Sequence, residues 1–210
     1  MLANYEKDEF GVIKQIEVTK ISYDKKYINV RYDSYGELNS YMSHLRFGYI
    51  VGSIGYVPKS ILDVGYGNGS FLKICGKLID NCYGNDINGY AIPDNAVFVE
   101  DITKNHYDVI TFFDSLEHFE NLNFIENLKC NYLVISVPWC HYFSNEWFKT
   151  WKHRRENEHL YHFNKASLTN FISSYRYSLV TSSNIEDTIR KGVDKNENIL
   201  TCIFKKDNTL

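Results

Sequence analysis

Two kinds of short apolar segment alternate along most of the chain. Ile61, Leu62 and Val64, interrupted by Asp63, read as a short buried strand. Comparable strand patterns recur at 82–86, 97–99, 107–113, 132–137, 177–183 and 198–204. Helical patterns fall between them at 70–79, around 120–128 and at 165–174, and Asn164 is placed to cap the last. Strands alternating with helices predict a parallel sheet covered on both faces. Ahead of this region, Gly11–Val18 and Lys26–Tyr32 predict two strands joined by a polar turn near Asp24. Glu37 to Ile54 predicts a helix, with Leu38, Met42, Leu45, Ile50 and Val51 near one face. The chain therefore divides into an N-terminal extension, 1–57, and a main α/β domain, 58–206.

The main domain is organised around Lys59 to Leu72. A strand runs into Gly65, Gly67 and Gly69, and an apolar helix follows. This order puts backbone N–H groups and a helix N-terminus at the sheet's carboxyl edge, where a ligand can lie directly on the backbone. A dinucleotide fingerprint has its third small residue at the sixth position, whereas here the third glycine comes at the fifth, and Asp63 precedes the first by two. The next strand ends at Asp86, about 20 residues on, where an acceptor-only carboxylate suits ribose hydroxyls.

Taken together, these segments resemble class I S-adenosylmethionine-dependent methyltransferases, whose first motif reads hydrophobic-hydrophobic-acid-hydrophobic-G-x-G-x-G. Tyr107-Asp-Val-Ile to Asp114-Ser-Leu-Glu-His118 is similar to the D-x-L-E-H segment of the family's small-molecule enzymes. The resemblance covers roughly 58–206. It implies a Rossmann-like seven-stranded sheet with its last strand antiparallel, the N-terminal extension serving as a lid. It also implies S-adenosyl-L-methionine as cofactor, held by Asp63, Gly65, Tyr66, Gly67, Gly69, Asp86, Ile87, Asp101, Ile102, Phe113 and Asp114. In such enzymes the loop after the fourth strand lies beside the sulfonium and the acceptor. His118 is then a general base or merely a helix-starting residue with fixed hydrogen bonds. Glu158, His159 and Phe163 match a further family pattern, E-H-x-x-x-F, and His159 is the second candidate base.

The run from Trp139 to Phe163 is dense in aromatic and ionisable residues. Trp139, Arg154, Arg155 and His162, with Tyr35 and Arg46 from the extension, are candidate acceptor-binding residues. The alternative is that the tryptophans pack on the sheet and the extension's residues cap their helix. His153, His159 and His162 with Glu156 and Glu158 carry metal-ligand chemistry, but no H-E-x-x-H motif is present and H-x-x-H alone is weak, so no metal is expected.

Composition narrows the partners. With 210 residues and 44% hydrophobic content the chain can bury a full core. A net charge of −3 provides no general basic footprint for nucleic acid. Asp114-Ser-Leu-Glu117 lacks the prolines of N6-adenine and N4-cytosine DNA methyltransferases, and Pro138-Trp-Cys140 is not a Pro-Cys nucleophile. Nucleic acid is therefore disfavoured without being excluded, and a small-molecule acceptor is expected. Five scattered cysteines suit reduced thiols. The absence of a leader pattern or an apolar run of ~18 residues predicts a cytoplasmic protein away from membranes. The expected reaction is methyl transfer to an O, N or C nucleophile. Same-scaffold non-methyl chemistry and a catalytically silent cofactor-binding module are the alternatives.

Overall fold

A computed structural model describes residues 2–19, 37–87, 90–190 and 196–207. Its main sheet has seven strands: β3 (Ser60–Val64), β4 (Asn81–Asn85), β5 (Val97–Phe98), β6 (His106–Phe113), β7 (Lys129–Pro138), β9 (Tyr177–Ser183) and β10 (Ile199–Lys206). Their spatial order is β5-β4-β3-β6-β7-β10-β9. β3 pairs parallel with β4 on one side and β6 on the other, while β10 runs antiparallel to both β7 and β9. The strand order thus reverses at β3, and a crevice opens there at the carboxyl ends of β3 and β6. This is the Rossmann-like class I methyltransferase sheet that the sequence implies.

Side-chain alternation splits the core into two layers. Leu62, Val64, Ile110, Phe112, Leu133 and Ile135 face one way, where helix α4 (Lys165–Ser173) covers them with Leu168, Phe171 and Ile172. Ile61, Val109, Val134 and Ile203 face the other way, beneath Phe47 and Ile50 of helix α1 (Leu38–Ile54) and Phe71 and Leu72 of helix α2 (Ser70–Cys75). Asp63 shares this second face, which puts a carboxylate under α1. The Asn164 cap forms as expected: its side chain accepts from the Ser167 N–H at 2.9 Å, and Ser167 Oγ accepts from the Asn164 N–H at 3.0 Å.

Three expected elements are shorter than their patterns. Residues 120–128 make only a 3-10 turn at Asn123–Asn127, where the Asn121 side chain accepts from the Asn123 N–H at 2.7 Å and competes with helix formation. α2 stops at Cys75, where Asn95 Nδ2 donates to the Leu72 and Lys73 carbonyls at 3.5 and 3.4 Å and lies so close that a side chain at Gly76 would collide with it. Of Gly11–Val18, only Ile13–Gln15 is a strand, β2. It pairs antiparallel with β1 (Tyr5–Lys7) and with β8 (Tyr161–His162). The second strand expected in the extension, 26–32, lies outside the described residues.

The small β1-β2-β8 sheet explains much of the aromatic run. Helix α3 (Asn145–Thr150), capped by Ser144, presents Phe148, and Trp151 follows it; both pack with Tyr5, Ile13 and Cys140 in a separate cluster. The tryptophan-packing alternative therefore holds for Trp151. All five cysteines are buried free thiols. Among the described residues no helix is long and apolar enough to cross a membrane.

Candidate active site

The site begins where β3 ends. After Val64 the chain turns through Gly65, Gly67 and Gly69, with φ of 82°, 55° and 72°, left-handed values that glycine adopts without strain. A Cβ on Gly65 would also lie 2.5 Å from Ser115 Cβ, because the loop after β6 passes directly over the turn. Ser115 Oγ donates to the Val64 carbonyl at 2.6 Å and ties the two strand ends together. From the neighbouring strand, Asp86 accepts the Gly67 N–H at 2.7 Å. The Tyr66 hydroxyl donates to the Tyr90 carbonyl at 2.6 Å.

Over this edge lies a cavity of about 230 Å³. Asp63, Gly65, Tyr66 and Asn68 line it from β3 and the turn, Phe113, Asp114, His118 and His159 from β6, the loop after it and the segment before β8, and Met42, Ser43 and Arg46 from α1. The His118 and His159 rings meet edge to face with centroids 4.7 Å apart. Arg155 also lines the cavity, paired with Glu158 at 2.9 Å.

Asp63 is only 3% exposed and accepts from Thr111 Oγ1 at 2.7 Å. Burial pushes its carboxyl up to about 6 from 3.8, despite opposition from the Thr111 bond and the Arg46 charge. The folded state thus binds this proton more tightly than the unfolded chain. The associated stability is complete below about pH 4 and is lost as pH rises through about 6. Asparagine keeps an acceptor for Thr111 and no charge, so Asp63→Asn should stabilise the protein by about 2–3 kcal/mol at pH 7.5. Thermal melts should show a gain of roughly 5 °C at pH 7.5 that disappears toward pH 4. An unchanged melting temperature at pH 7.5 would mean that Arg46 already offsets the burial of the charge.

An ion cluster absent from the sequence reading borders the cavity. Arg46 donates to both carboxylate oxygens of Glu186 at 2.8 Å and to Asp114 at 3.1 Å, while Arg190 grips Asp114 through two nitrogens. Burial alone would raise the Asp114 pKa, but Arg190 and then Arg46 overcome it and hold the carboxyl well below the usual range. The Arg46 guanidinium also sits 4.1 Å from the Phe113 ring centroid.

The structure brings only part of the expected set together. Asp63, Gly65, Tyr66, Phe113, Asp114, His118, His159, Arg46 and Arg155 line the cavity. Gly67, Gly69 and Asp86 shape the turn beside it. Ile87 is 84% exposed. Asp101 is exposed and accepts from the Thr103 N–H and hydroxyl, and Ile102 packs against the core; neither lines the cavity. Trp139 stacks on His141, Arg154 pairs with Glu156 at 3.8 Å, and His162 is buried beside Phe148, its pKa pushed down to about 3 by burial. These three also lie outside the cavity. Tyr35 falls outside the described residues.

Glu117, Glu186 and Arg190 were missed, and His153, considered only for metal chemistry, also lines the cavity. Glu117 had a local signal, since it stands inside the D-x-L-E-H segment; Glu186 and Arg190 had none, being distant in sequence from Arg46 and Asp114.

Comparison with known proteins places this geometry. The family described as "Methyltransferase domain" matches residues 51–181. No curated protein matches the chain by sequence. Among solved structures, magnesium protoporphyrin IX methyltransferase from Synechocystis, with S-adenosylhomocysteine bound, is 14% identical with a TM-score of 0.60, over 88% of this chain and 96% of its own. The 1,6-didemethyltoxoflavin-N1-methyltransferase of Burkholderia thailandensis is 11% identical with a TM-score of 0.59, over 98% and 100%. An S-adenosylmethionine-dependent methyltransferase from Clostridium acetobutylicum is 11% identical with a TM-score of 0.58, over 86% and 99%. With the family matched over 51–181 and the sheet in this order, its last strand reversed, the chain belongs to the class I S-adenosylmethionine-dependent methyltransferases.

Proposed function

We propose that the protein transfers a methyl group from S-adenosylmethionine to a nucleophilic O, N or C atom of a small-molecule acceptor. One observation carries the reading: a single cavity is lined both by the glycine turn with Asp63 and by the His118–His159 pair. The residues present fit the cofactor. Gly65, Tyr66 and Asn68 of the turn line the cavity, and two carboxylates, Asp63 and Asp86, suit a molecule bearing an ammonium group and a ribose diol. Bound there, S-adenosylmethionine supplies an already activated methyl group.

The chain's part is then largely positioning. Asp86 clamps the ribose hydroxyls and anchors the turn through Gly67. Phe113 offers a π face to the positive sulfonium. α1 roofs the cavity as a lid and helps exclude water. His118 and His159 face the acceptor and serve its proton. Arg155 is the acceptor-facing cation, whereas Arg46 and Asp114 hold the wall together. Arg154, Trp139 and His162 support the fold around it.

The acceptors named for the Synechocystis and Burkholderia neighbours, a magnesium porphyrin and a didemethyltoxoflavin, are small molecules. The test is to incubate the protein with S-adenosylmethionine and a panel of hydroxyl, amine and carbon-acid acceptors, measuring S-adenosylhomocysteine. Acceptor-dependent product is expected. Tight cofactor binding with no product across the panel would point instead to a silent binding module.

A further inference from the structure

Three side chains at the cavity carry chemistry that positioning alone does not need. Glu117 and His118 are neighbours on the 3-10 turn Leu116–His118, and His159 comes from the segment just before β8. One potential ligand atom from each lies within 4.8 Å of the other two. The spacing is held by backbone, since the Leu160 N–H donates to the Glu117 carbonyl at 2.7 Å. All three residues line the cavity.

A second observation concerns His159. The residue is 4% exposed, and its Nδ1 is buried with no hydrogen-bond partner among the described residues. Its Nε2 lies 3.5 Å from Glu158 Oε1, and Arg155 holds that carboxylate in place at 2.9 Å. A buried nitrogen left unsatisfied is unfavourable unless something binds it. A carboxylate behind one imidazole nitrogen, with the other nitrogen left over, is how proteins back a metal-ligating histidine.

We propose that Glu117, His118 and His159 form a site for a divalent first-row transition-metal cation. Two imidazoles and a carboxylate suit such ions, whereas calcium and magnesium prefer all-oxygen sets. Three protein ligands leave coordination positions open, and the cavity is the side on which an acceptor would enter. The inference rests on the methyl-transfer reading and narrows it: the acceptor is a hydroxyl-bearing small molecule whose oxygen approaches the cation. The cation lowers that hydroxyl's pKa, and because His118 and His159 are then its ligands instead of proton acceptors, the proton passes to solvent water. The oxygen then bonds to the methyl carbon of S-adenosylmethionine as the carbon–sulfur bond breaks, its electron pair staying on sulfur to leave S-adenosylhomocysteine.

Mn²⁺ is the probe. The full chain is titrated with it while the electron paramagnetic resonance signal of free Mn²⁺ is followed, and S-adenosylmethionine affinity is measured separately by calorimetry without metal. One equivalent of Mn²⁺ should bind. His118→Gln and His159→Gln should each weaken binding at least tenfold, and His141→Gln, outside the cavity, should not. His118 is only half-buried, so its variant carries the test if the His159 variant fails to fold. Failure of folded protein to bind Mn²⁺, or equal binding by His118→Gln, would overturn the site. Cofactor binding without Mn²⁺ binding would leave methyl transfer standing. Mn²⁺ binding without cofactor binding would remove methyl transfer and the hydroxyl assignment with it.

Discussion

Replacing Glu186 by glutamine should destabilise the protein by about 3–5 kcal/mol, the range for removing one partner of a buried ion pair. Glu186 is fully buried; it takes two bonds from Arg46 at 2.8 Å, a third from Ser136 Oγ at 2.7 Å, and lies 3.3 Å from Arg190. With Asp114 the cluster balances two guanidiniums against two carboxylates. Loss of one carboxylate leaves an uncompensated positive charge where α1, the loop after β6 and the turn Ile185–Thr188 meet. Urea unfolding should show a lower midpoint with an unchanged slope. Adding Arg46→Met removes the stranded charge while keeping bulk against Phe113, so the double variant should recover at least half of the loss. A Glu186→Gln midpoint within error of the parent would mean that Asp114 alone neutralises both arginines.

Loss of the Asp86 side chain should weaken S-adenosylmethionine binding by about 100-fold. In the proposed complex, two charge-assisted hydrogen bonds to ribose hydroxyls would contribute roughly 3 kcal/mol together, and about 1.4 kcal/mol corresponds to tenfold. The carboxylate also accepts the Gly67 N–H, so the variants separate its two roles. Asp86→Asn keeps an acceptor for that amide and should lose roughly tenfold, whereas Asp86→Ala loses both. Calorimetry with S-adenosylmethionine and S-adenosylhomocysteine measures this directly. Alanine binding as tightly as the parent would take Asp86 out of the cofactor site and leave it as a turn anchor.

Much of the sheet was legible because its signals are local. β3, β6, β7 and β10 are predominantly apolar with only isolated polar positions such as Asp63, Thr111, Ser136 and Thr201, as befits strands covered on both faces. The glycine turn was equally plain, since three left-handed positions within five residues leave little choice but glycine. β1 and β8, of three and two residues, are too short for any period to show. The expected helix at 120–128 failed for the opposite reason: the apolar spacing was present, but the Asn121 side chain took the Asn123 N–H.

Within the site, the dividing line is sequence separation. Asp63, the glycines, Asp86 and the D-x-L-E-H segment lie at or near strand ends, and their places follow from the strands they adjoin. Arg154 and Arg155 are neighbours of one type, yet only Arg155 reaches the cavity, because the turn after Trp151 sends the two side chains to different partners. Arg46 meets Glu186 across 140 residues, and His118 meets His159 only because β8 docks beside the turn after β6. The sequence by itself determined the alternating architecture, the glycine turn and the acids beside it, all set by backbone propensity and by the burial of adjacent residues. Tertiary structure alone decided which charges neutralise one another and which histidines meet, since those depend on packing between elements that no local pattern encodes.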